Sequence, residues 1–268
     1  MDDTADGGNS PRTIEAVDKT CRIVEAVHEL GGAGVTELAE RLDISKGTIH
    51  THLATLSRNG FIVKDGDTYR VSLRFLDIGE DAKIGSQIYQ VARPEIRELA
   101  EQTNTRTQIT IEEFGMVVVL AIERGEHTIP APTRIGKRDY MHCIASGKAI
   151  LAHLPEERVR RIVRHHGLPA RTPNTIVDED DLMGELAEIR DRGYAYNDEE
   201  KIKGLRAVGV TIRNDSGTVL GAVSASGATS KMKGSRYREE IPEALLSVAN
   251  TIEFNIRVEE GQFETSTY

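Results

Sequence analysis

The chain has 268 residues, 38% of them hydrophobic, a net charge of −9 and only two cysteines. A chain of this length can hold two domains, of which the second is large enough for its own core. Two cysteines exclude a disulfide framework and fit a reducing cytoplasm, and no stretch of about 18 apolar residues predicts a transmembrane helix. The acidic, polar residues 1–11 lack the apolar stretch of a signal peptide and predict a disordered tail.

A first helix is predicted after Thr13, whose hydroxyl is placed to cap it. Apolar residues follow at steps of three and four, which is the spacing of one helix face. They are Ile14, Val17, Cys21, Val24 and Val27. This pattern gives a first helix for the next two helices to pack against.

Residues 35–60 are typical of two short helices joined by a tight turn. Thr36 is placed to cap the first helix, and residues 43–44 form the break. Ser45 can cap the second helix, which ends at residues 59–60, an Asn-Gly pair. The apolar stripe of the second helix is Ile49, Leu53 and Leu56, and the polar side chains off this stripe are Lys46, Thr48, His50, Thr51 and Thr55. The pattern predicts a helix-turn-helix that reads DNA.

A β-hairpin is predicted directly after the second helix. Two β-rich runs, residues 61–64 and 68–72, flank the turn sequence Asp-Gly-Asp at 65–67. A hairpin in this place is a wing. Residues 12–74 are therefore predicted to form a winged helix-turn-helix domain.

The predicted DNA contacts come from the second helix and the wing. Ser45 and Lys46 would meet phosphate at the N-terminus of that helix. Thr48, His50 and Thr51 would read base edges. The other predicted contacts are Thr36, Lys64 and Arg70, the last at the DNA backbone or minor groove.

Positive charge is concentrated where the duplex would lie. Residues 45–74 hold five basic and two acidic side chains, a net charge of +3, which leaves −12 for the rest of the chain. The total charge disfavours a general polyanion binder, but phosphate contacts need positive charge only at the interface. Because this region has few basic residues, we expect one monomer to bind DNA with only modest affinity. We therefore expect a dimer, with two recognition helices about 34 Å apart in successive major grooves.

Residues 75–91 predict a linker helix, kinked or broken at a glycine, and Pro94 is predicted to open the next helix. From there strands alternate with helices. The predicted strands are 106–112, 116–122, 207–213 and 219–226, and the predicted helices are 145–154, 156–166, 180–192 and 241–256. This order predicts an α+β domain over residues 92–258, followed by a C-terminal tail at 259–268.

Five segments stand in a fixed order along the chain: AVDKTCRIVEAV, VTELAERLDISKGTIHTHLATLSRNGFI, ASGKAILAHLPEE, GYAYNDEEKIKGLRAVGVTIRN and VLGAVSASG. Together they resemble the IclR family of transcriptional regulators over about residues 12–257. The resemblance implies an N-terminal winged helix-turn-helix, a linker helix and a GAF-like α/β effector-binding domain. It further implies a homodimer, or a dimer of dimers, whose affinity for double-stranded operator DNA is controlled by a small organic acid.

The resemblance also implies an effector pocket, whose residues are those that stand at the positions of the family's pocket residues. Ala145 and Ser146 stand at a helix start, where backbone N–H groups suit a carboxylate. Asn197 and Ala207 stand where an aspartate and a cysteine are common, and an amide in place of a carboxylate should favour an anionic or hydroxylated effector. Cys143 lies just before the helix start at Ala145, where contact with the pocket is one interpretation, but a small buried hydrophobe is the simpler one. The implied set is Ala145, Ser146, Asn197, Leu205, Ala207, Ser224 and Ser226.

Several other patterns are better explained without a site. The Gly-Lys pair at 147–148 lacks the remaining residues of a phosphate loop. Neither His50 with His52 nor the adjacent pair at 165–166 has the spacing of metal ligands. The acidic residues 198–200 are interpreted as a solvated loop. We expect no catalytic residue, no metal and no cofactor.

Two alternatives stay open. The C-terminal domain could be an enzyme or a metabolite-binding module that associates with DNA only incidentally, and turnover of candidate acids would favour that interpretation. Winged helices also bind proteins in some cases, and a competition test with nonspecific DNA would separate that role from operator recognition.

Overall fold

The computed structural model describes residues 12–126, 128 and 133–265, and the predicted tail at 1–11 lies outside them. The chain divides into two compact units between Ala82 and Lys83. This division falls within the segment predicted as a linker. Among the described residues, no helix is both long enough and apolar enough to cross a membrane.

The first unit contains the predicted winged helix-turn-helix. Its elements are α1 (Glu15–Glu29), α2 (Val35–Leu42), α3 (Lys46–Arg58), β1 (Ile62–Asp65) and β2 (Thr68–Val71). The two strands pair antiparallel around a turn in which Gly66 has a φ of +58°. Apolar side chains from all three helices and both strands form one core, which includes Ile23, Val27, Leu38, Ile49, Leu53, Leu56, Ile62 and Tyr69.

Two predicted helix caps are wrong. α1 is preceded by Ile14 and α2 by Gly34, and neither residue makes a side-chain capping bond. Thr13 therefore caps no helix, and Thr36 is the second residue of α2. The reason at α2 is that the Gly34 carbonyl already accepts a hydrogen bond from the N–H of Leu38 at 3.1 Å, so the helix begins before Thr36.

The predicted apolar stripe of α1 is only partly buried. Val27 lies in the core, but Ile14 is 68% exposed, Val17 is 56% exposed and Cys21 is exposed. The fully buried residues of the helix are Ile23, Ala26 and Val27. α1 therefore packs against α2 and α3 as expected, but only through its second half, and the first part of the predicted stripe stays outside the core.

Two helices follow the wing, α4 (Arg74–Ile84) and α5 (Gln87–Thr103), with a break at residues 85–86. Pro94 lies inside α5 rather than at its start, so the predicted helix start is wrong. A proline within a helix removes one hydrogen bond and crowds the preceding turn. Ile88, Val91 and Ile96 lie in one core on both sides of the proline, and this packing holds α5 as one helix.

The second unit is built on a six-stranded antiparallel sheet with the strand order β5-β4-β3-β8-β7-β6. Its strands are β3 (Arg106–Glu113), β4 (Met116–Arg124), β5 (Arg138–Tyr140), β6 (Ala195–Asp198), β7 (Leu205–Arg213) and β8 (Val219–Ala228). Its further helices are α6 (Ala145–His153), α7 (Glu156–His166), α8 (Glu179–Arg192) and α9 (Ile241–Thr265). β5 and β6 were not predicted, and α9 continues into the segment predicted as a C-terminal tail.

The sheet lies between two layers of helices. α5 and α9 pack on one face, where Ile109, Val208 and Val223 meet Ile96 and other apolar residues. α6, α7 and α8 form a second core on the other face. Because side chains alternate along a strand, every second residue of β3, β7 and β8 points toward the α6 layer. The candidate effector site lies on that side.

Candidate functional site

The recognition helix α3 presents polar side chains opposite its buried stripe. Ser45 caps this helix as predicted, because its Oγ accepts a hydrogen bond from the backbone N–H of Thr48 at 3.2 Å. The hydroxyls of Ser45 and Thr48 are also 2.8 Å apart. Lys46, His50 and Thr51 are exposed. The start of α3 therefore offers one cation and several hydrogen-bonding side chains to a ligand outside this unit.

The wing places two basic side chains at the surface. Arg70 Nη2 lies 2.9 Å from Asp65 Oδ2, with both side chains more than half exposed. Lys64 Nζ lies 5.6 Å from the centre of the Tyr69 ring. Thr36 is exposed as well. An exposed ion pair of this kind is weak, so the Arg70 guanidinium can exchange Asp65 for another anion.

A cavity of about 60 Å³ lies in the second unit, between the sheet and the start of α6. Alternate residues of β3, β7 and β8 form much of its wall. All seven residues implied by the family resemblance line this cavity: Ala145, Ser146, Asn197, Leu205, Ala207, Ser224 and Ser226. The structure therefore brings together residues that are distant in the sequence.

The start of α6 lies directly against the sheet. Gly209 on β7 makes this approach possible, because a Cβ atom there would lie 2.6 Å from the backbone nitrogen of Ser146. The first residues of a helix have no intrahelical partner for their N–H groups. The N–H groups of Ala145 and Ser146 therefore lie beside the cavity at the positive end of the helix dipole, an arrangement that suits a carboxylate.

Asn197 supports the turn before α6. Its Nδ2 donates a hydrogen bond to the Cys143 carbonyl at 2.9 Å, and its Oδ1 accepts one from the N–H of Glu200 at 3.0 Å. One of the two amide N–H groups is thus used within the protein, which weakens the predicted preference of this amide for an anionic effector. Cys143 is buried beside the cavity without lining it, and burial raises the pKa of its thiol to about 11.

Several polar residues of the same cavity were not predicted from the sequence. Arg106, Gln108 and Thr110 line it from β3, at every second position of the strand. Lys201 and Asp139 also line it, and the Lys201 ammonium is hydrogen-bonded to the Asp139 carboxylate. The alternation of polar residues at 106, 108 and 110 could have predicted that these side chains share one face of a strand. It could not have predicted that this face lines a cavity.

Arg106 is a buried cation without a carboxylate partner among the described residues. Its side chain is 3% exposed, and its Nε and Nη2 atoms have no hydrogen-bond partner there. Burial lowers the pKa of Arg106 to about 10, and the positive charge of Arg124 adds to this effect. Arg124 stands directly opposite Arg106 in the β3–β4 register. Arg106 thus holds an uncompensated positive charge at the cavity wall.

The acidic stretch 198–200 is not a solvated loop throughout, so that interpretation is wrong for Glu200. Glu200 is buried, and its Oε1 accepts a hydrogen bond from Lys148 Nζ at 2.7 Å. Burial raises the pKa of Glu200, while Lys148 opposes this shift. Asp198 is exposed and pairs with Arg206. The lysine of the Gly-Lys pair is therefore an interior residue that binds a carboxylate.

No cluster of three or more His, Cys, Asp or Glu side chains suited to a metal ion occurs in the part of the chain that the structure describes. The rings of His165 and His166 meet edge to face, with their centres 4.5 Å apart. The Nε2 atom of His166 is hydrogen-bonded to the Phe114 carbonyl at 2.7 Å. These histidines take part in contacts between α7 and the β3–β4 turn.

A winged helix followed by a separate α/β domain with a polar cavity defines a DNA-binding regulator that responds to a small molecule. Family models match both parts: the IclR helix-turn-helix domain at residues 16–66 and the bacterial transcriptional regulator IclR C-terminal domain at residues 84–254. The chain belongs to the IclR family of transcriptional regulators, with a helix-turn-helix DNA-binding domain and an effector-binding domain.

Known proteins resemble the chain over most of its length. The probable HTH-type transcriptional regulator ArcR of Halobacterium salinarum is 34% identical over 260 residues, covering 96% of this chain and 99% of the relative. The crystal structure of Thermotoga maritima IclR is 26% identical, with a TM-score of 0.72, and the match covers 90% of this chain and 98% of that one. An IclR homologue from Microbacterium hydrocarbonoxydans, complexed with 4-hydroxybenzoate, shares the fold with a TM-score of 0.78 at 22% identity, covering 91% and 99% of the two chains.

Proposed function

We propose that this chain binds operator DNA as a homodimer, and that a small organic acid bound in the cavity controls its affinity for DNA. The observation that carries the effector assignment is the position of the Ala145 and Ser146 N–H groups beside a cavity that Ser224 and Ser226 also line. Donors and hydroxyls in a small cavity suit a carboxylate with a polar substituent. The M. hydrocarbonoxydans homologue was solved with 4-hydroxybenzoate, which is such an acid.

Exposure and charge support the assigned DNA contacts. Lys46 and Ser45 stand at the N-terminus of α3, where a phosphate oxygen would meet both an ammonium group and the helix dipole. The exposed His50 and Thr51 lie further along α3 and are assigned to base edges together with Thr48. Three residues outside α3 are assigned to further DNA contacts: Thr36, Lys64 and Arg70.

Exposed apolar residues of the first unit support the proposal that the chain forms a homodimer. Ile14 and Val17 on α1 are more than half exposed, and so are Leu73 and Leu76 at the start of α4. Large apolar side chains left at a surface are typical of protein interfaces. A homodimer would cover them and would place two copies of α3 on one duplex. Two such dimers could in turn pair as a dimer of dimers.

An acid controls DNA binding only if it binds one arrangement of the dimer more tightly than another. We assign the transmission of this difference to the segment around α4, which joins the two units in the sequence. The relatives are transcriptional regulators, and we infer that this chain likewise catalyses no reaction. Because its partner is DNA, we place its activity in the cytoplasm.

The test uses the full-length protein, a labelled DNA fragment from upstream of its own gene and a panel of small carboxylic acids, with fluorescence anisotropy as the readout. At least one acid should change the affinity for DNA by about tenfold, a typical allosteric coupling. Ser224→Ala should weaken the response to that acid, whereas Ser247→Ala, an exposed serine on α9, should not. Turnover of the acid, or DNA binding that no acid alters, would contradict the proposal.

A further inference from the structure

We propose that the effector carries two acidic groups, one bound by Arg106 and the other by the N-terminus of α6, both of which line the same cavity. This inference rests on the proposed function, because it takes the cavity as the site of a small acid. It narrows the effector to a dicarboxylic acid or a closely similar dianion.

The first observation is the state of Arg106. Its guanidinium is almost fully buried, yet two of its nitrogen atoms lack hydrogen-bond partners among the described residues. Buried cations in proteins are ordinarily paired, because an unpaired buried charge is strongly unfavourable. The neighbouring strand adds a second cation, Arg124, instead of an acid. An arrangement of this kind becomes favourable once an anion occupies the cavity.

The second observation is that the other charged groups of the cavity wall compensate one another. Lys201 and Asp139 are hydrogen-bonded to each other, and both line the cavity. Their charges cancel, and the Asp139 carboxylate is already engaged by an ammonium group. Among the described residues of the wall, Arg106 is thus the positive charge that the protein leaves unbalanced.

The third observation is the distance between Arg106 and the start of α6. Along the sheet, Arg106 pairs with Ser226, whereas Gly209, which touches the start of α6, pairs with Ser224. The two positions are therefore two strands and two residues apart, which corresponds to about 12 Å between backbones. The Arg106 side chain covers part of this distance. Two carboxylates joined by a short carbon chain can span what remains, so that each of the two groups binds its own anion.

Other residues of the cavity wall match such a chain. Val117, Val119 and Leu205 supply apolar surface, and Ser224 and Ser226 supply hydroxyls. The apolar residues suit methylene groups or a ring, and the hydroxyls suit carboxylate oxygens or a substituent. A dicarboxylic acid supplies one anion to Arg106 and another to the N-terminus of α6, whereas a monocarboxylic acid has a single charge for both.

The experiment compares acids of equal chain length on the full-length protein, by isothermal titration calorimetry and thermal unfolding. The pairs are succinate with butyrate, glutarate with valerate, and adipate with hexanoate. At least one dicarboxylate should bind about tenfold more tightly than its monocarboxylate partner, the effect of one additional charge-assisted hydrogen-bond pair. Equal binding within every pair that binds would overturn the inference and leave the proposed function standing.

Two matched variants then test Arg106 itself. Arg106→Met should abolish the preference for the dicarboxylate and should not lower the Tm without ligand, since it removes an unpaired buried charge. Arg124→Met removes the exposed neighbour and should keep the preference. If Arg106→Met retains the preference, the inference is wrong. Should that variant fail to fold, Arg106→Lys serves instead, with a weakened preference expected and an unchanged one contradicting the inference. No binding by any of these six acids would overturn the inference, whereas the proposed function is tested separately by the DNA-binding assay with its wider panel of acids.

Discussion

Lys148 and Glu200 form an ion pair in the interior of the effector-binding domain, with Lys148 Nζ 2.7 Å from Glu200 Oε1. Lys148 belongs to α6, and Glu200 follows β6. A second carboxylate, Glu185 of α8, lies 3.4 Å from the same ammonium group. The lysine thus connects the helix that borders the cavity with two segments that come later in the chain.

Removing one member of this pair should be strongly destabilising. Lys148→Met leaves Glu200 buried without its cation, and such changes cost about 3–5 kcal/mol. The double variant Lys148→Met with Glu200→Met removes both charges, so its loss in unfolding free energy should be smaller than that of Lys148→Met alone. Urea unfolding of the wild type, of Lys148→Met, of Glu200→Met and of the double variant measures this difference. A double variant that loses the sum of the two single losses would show that the pair is not coupled.

Stability should fall as the pH is lowered through about 6.5. Burial lowers the pKa of His142 below its ordinary value of 6.5, although a hydrogen bond to the Pro169 carbonyl opposes this shift. Between the lowered value and 6.5 the unfolded chain binds more protons than the folded protein, so the folded state loses stability in that window. Urea unfolding at pH 7.5 and 5.5 tests this. His142→Gln should reduce the loss, whereas His165→Gln, at an exposed position, should leave it as in the wild type.

Gly209→Ala should impair effector binding from a position on the sheet. The added Cβ would lie 2.6 Å from the Ser146 nitrogen and 2.7 Å from the Ala145 carbonyl carbon, so the start of α6 must move away from β7. A shift of the N–H groups that are assigned to the carboxylate should weaken acid binding about tenfold or more. Gly184→Ala is the control, because its Cβ would meet nothing within 4 Å. Calorimetry with the best-binding acid provides the readout, and equal affinities for the two variants would refute the assignment.

Two substitutions in α3 should separate phosphate contact from base reading. Lys46→Ala should weaken binding to all DNA sequences and flatten the dependence on salt, because it removes one charge from the phosphate interface. Thr51→Ala should instead change the preference among sites and keep the salt slope. The Thr51 hydroxyl donates to the Gly47 carbonyl at 3.0 Å, so its methyl group and lone pairs are what a base would meet. Equal losses on all sequences, with unchanged salt slopes, would contradict both roles.

Local pattern predicted much of this fold. The stripe Ile49, Leu53 and Leu56, together with the Ser45 cap, predicted α3 correctly because these contacts lie within one helix and its own core. The same reasoning failed at Pro94, where burial on both sides outweighs the preference of proline for a helix start. It also failed for Thr13 and Thr36, because several nearby residues can precede a helix and only the chain geometry selects one.

The environments that the sequence did not predict are formed by residues that are far apart in the chain. Arg106 meets Ser226 across the sheet, and Glu200 meets Lys148 from a distant segment, so neither environment is visible in the neighbouring residues. The cavity residues were located through the family resemblance rather than through periodicity. That resemblance did not include Arg106, whose missing counterion is a property of the folded domain alone.

The most direct test of the central claim is to recover genomic DNA fragments with the purified full-length protein, with and without the dicarboxylate that binds best. Bound fragments should share one sequence with two-fold symmetry, its half-sites one helical turn or a multiple of it apart, and the acid should change their recovery. Recovery of genomic DNA without any enriched sequence, in both conditions, would contradict the assignment of this chain as an acid-responsive reader of operator DNA.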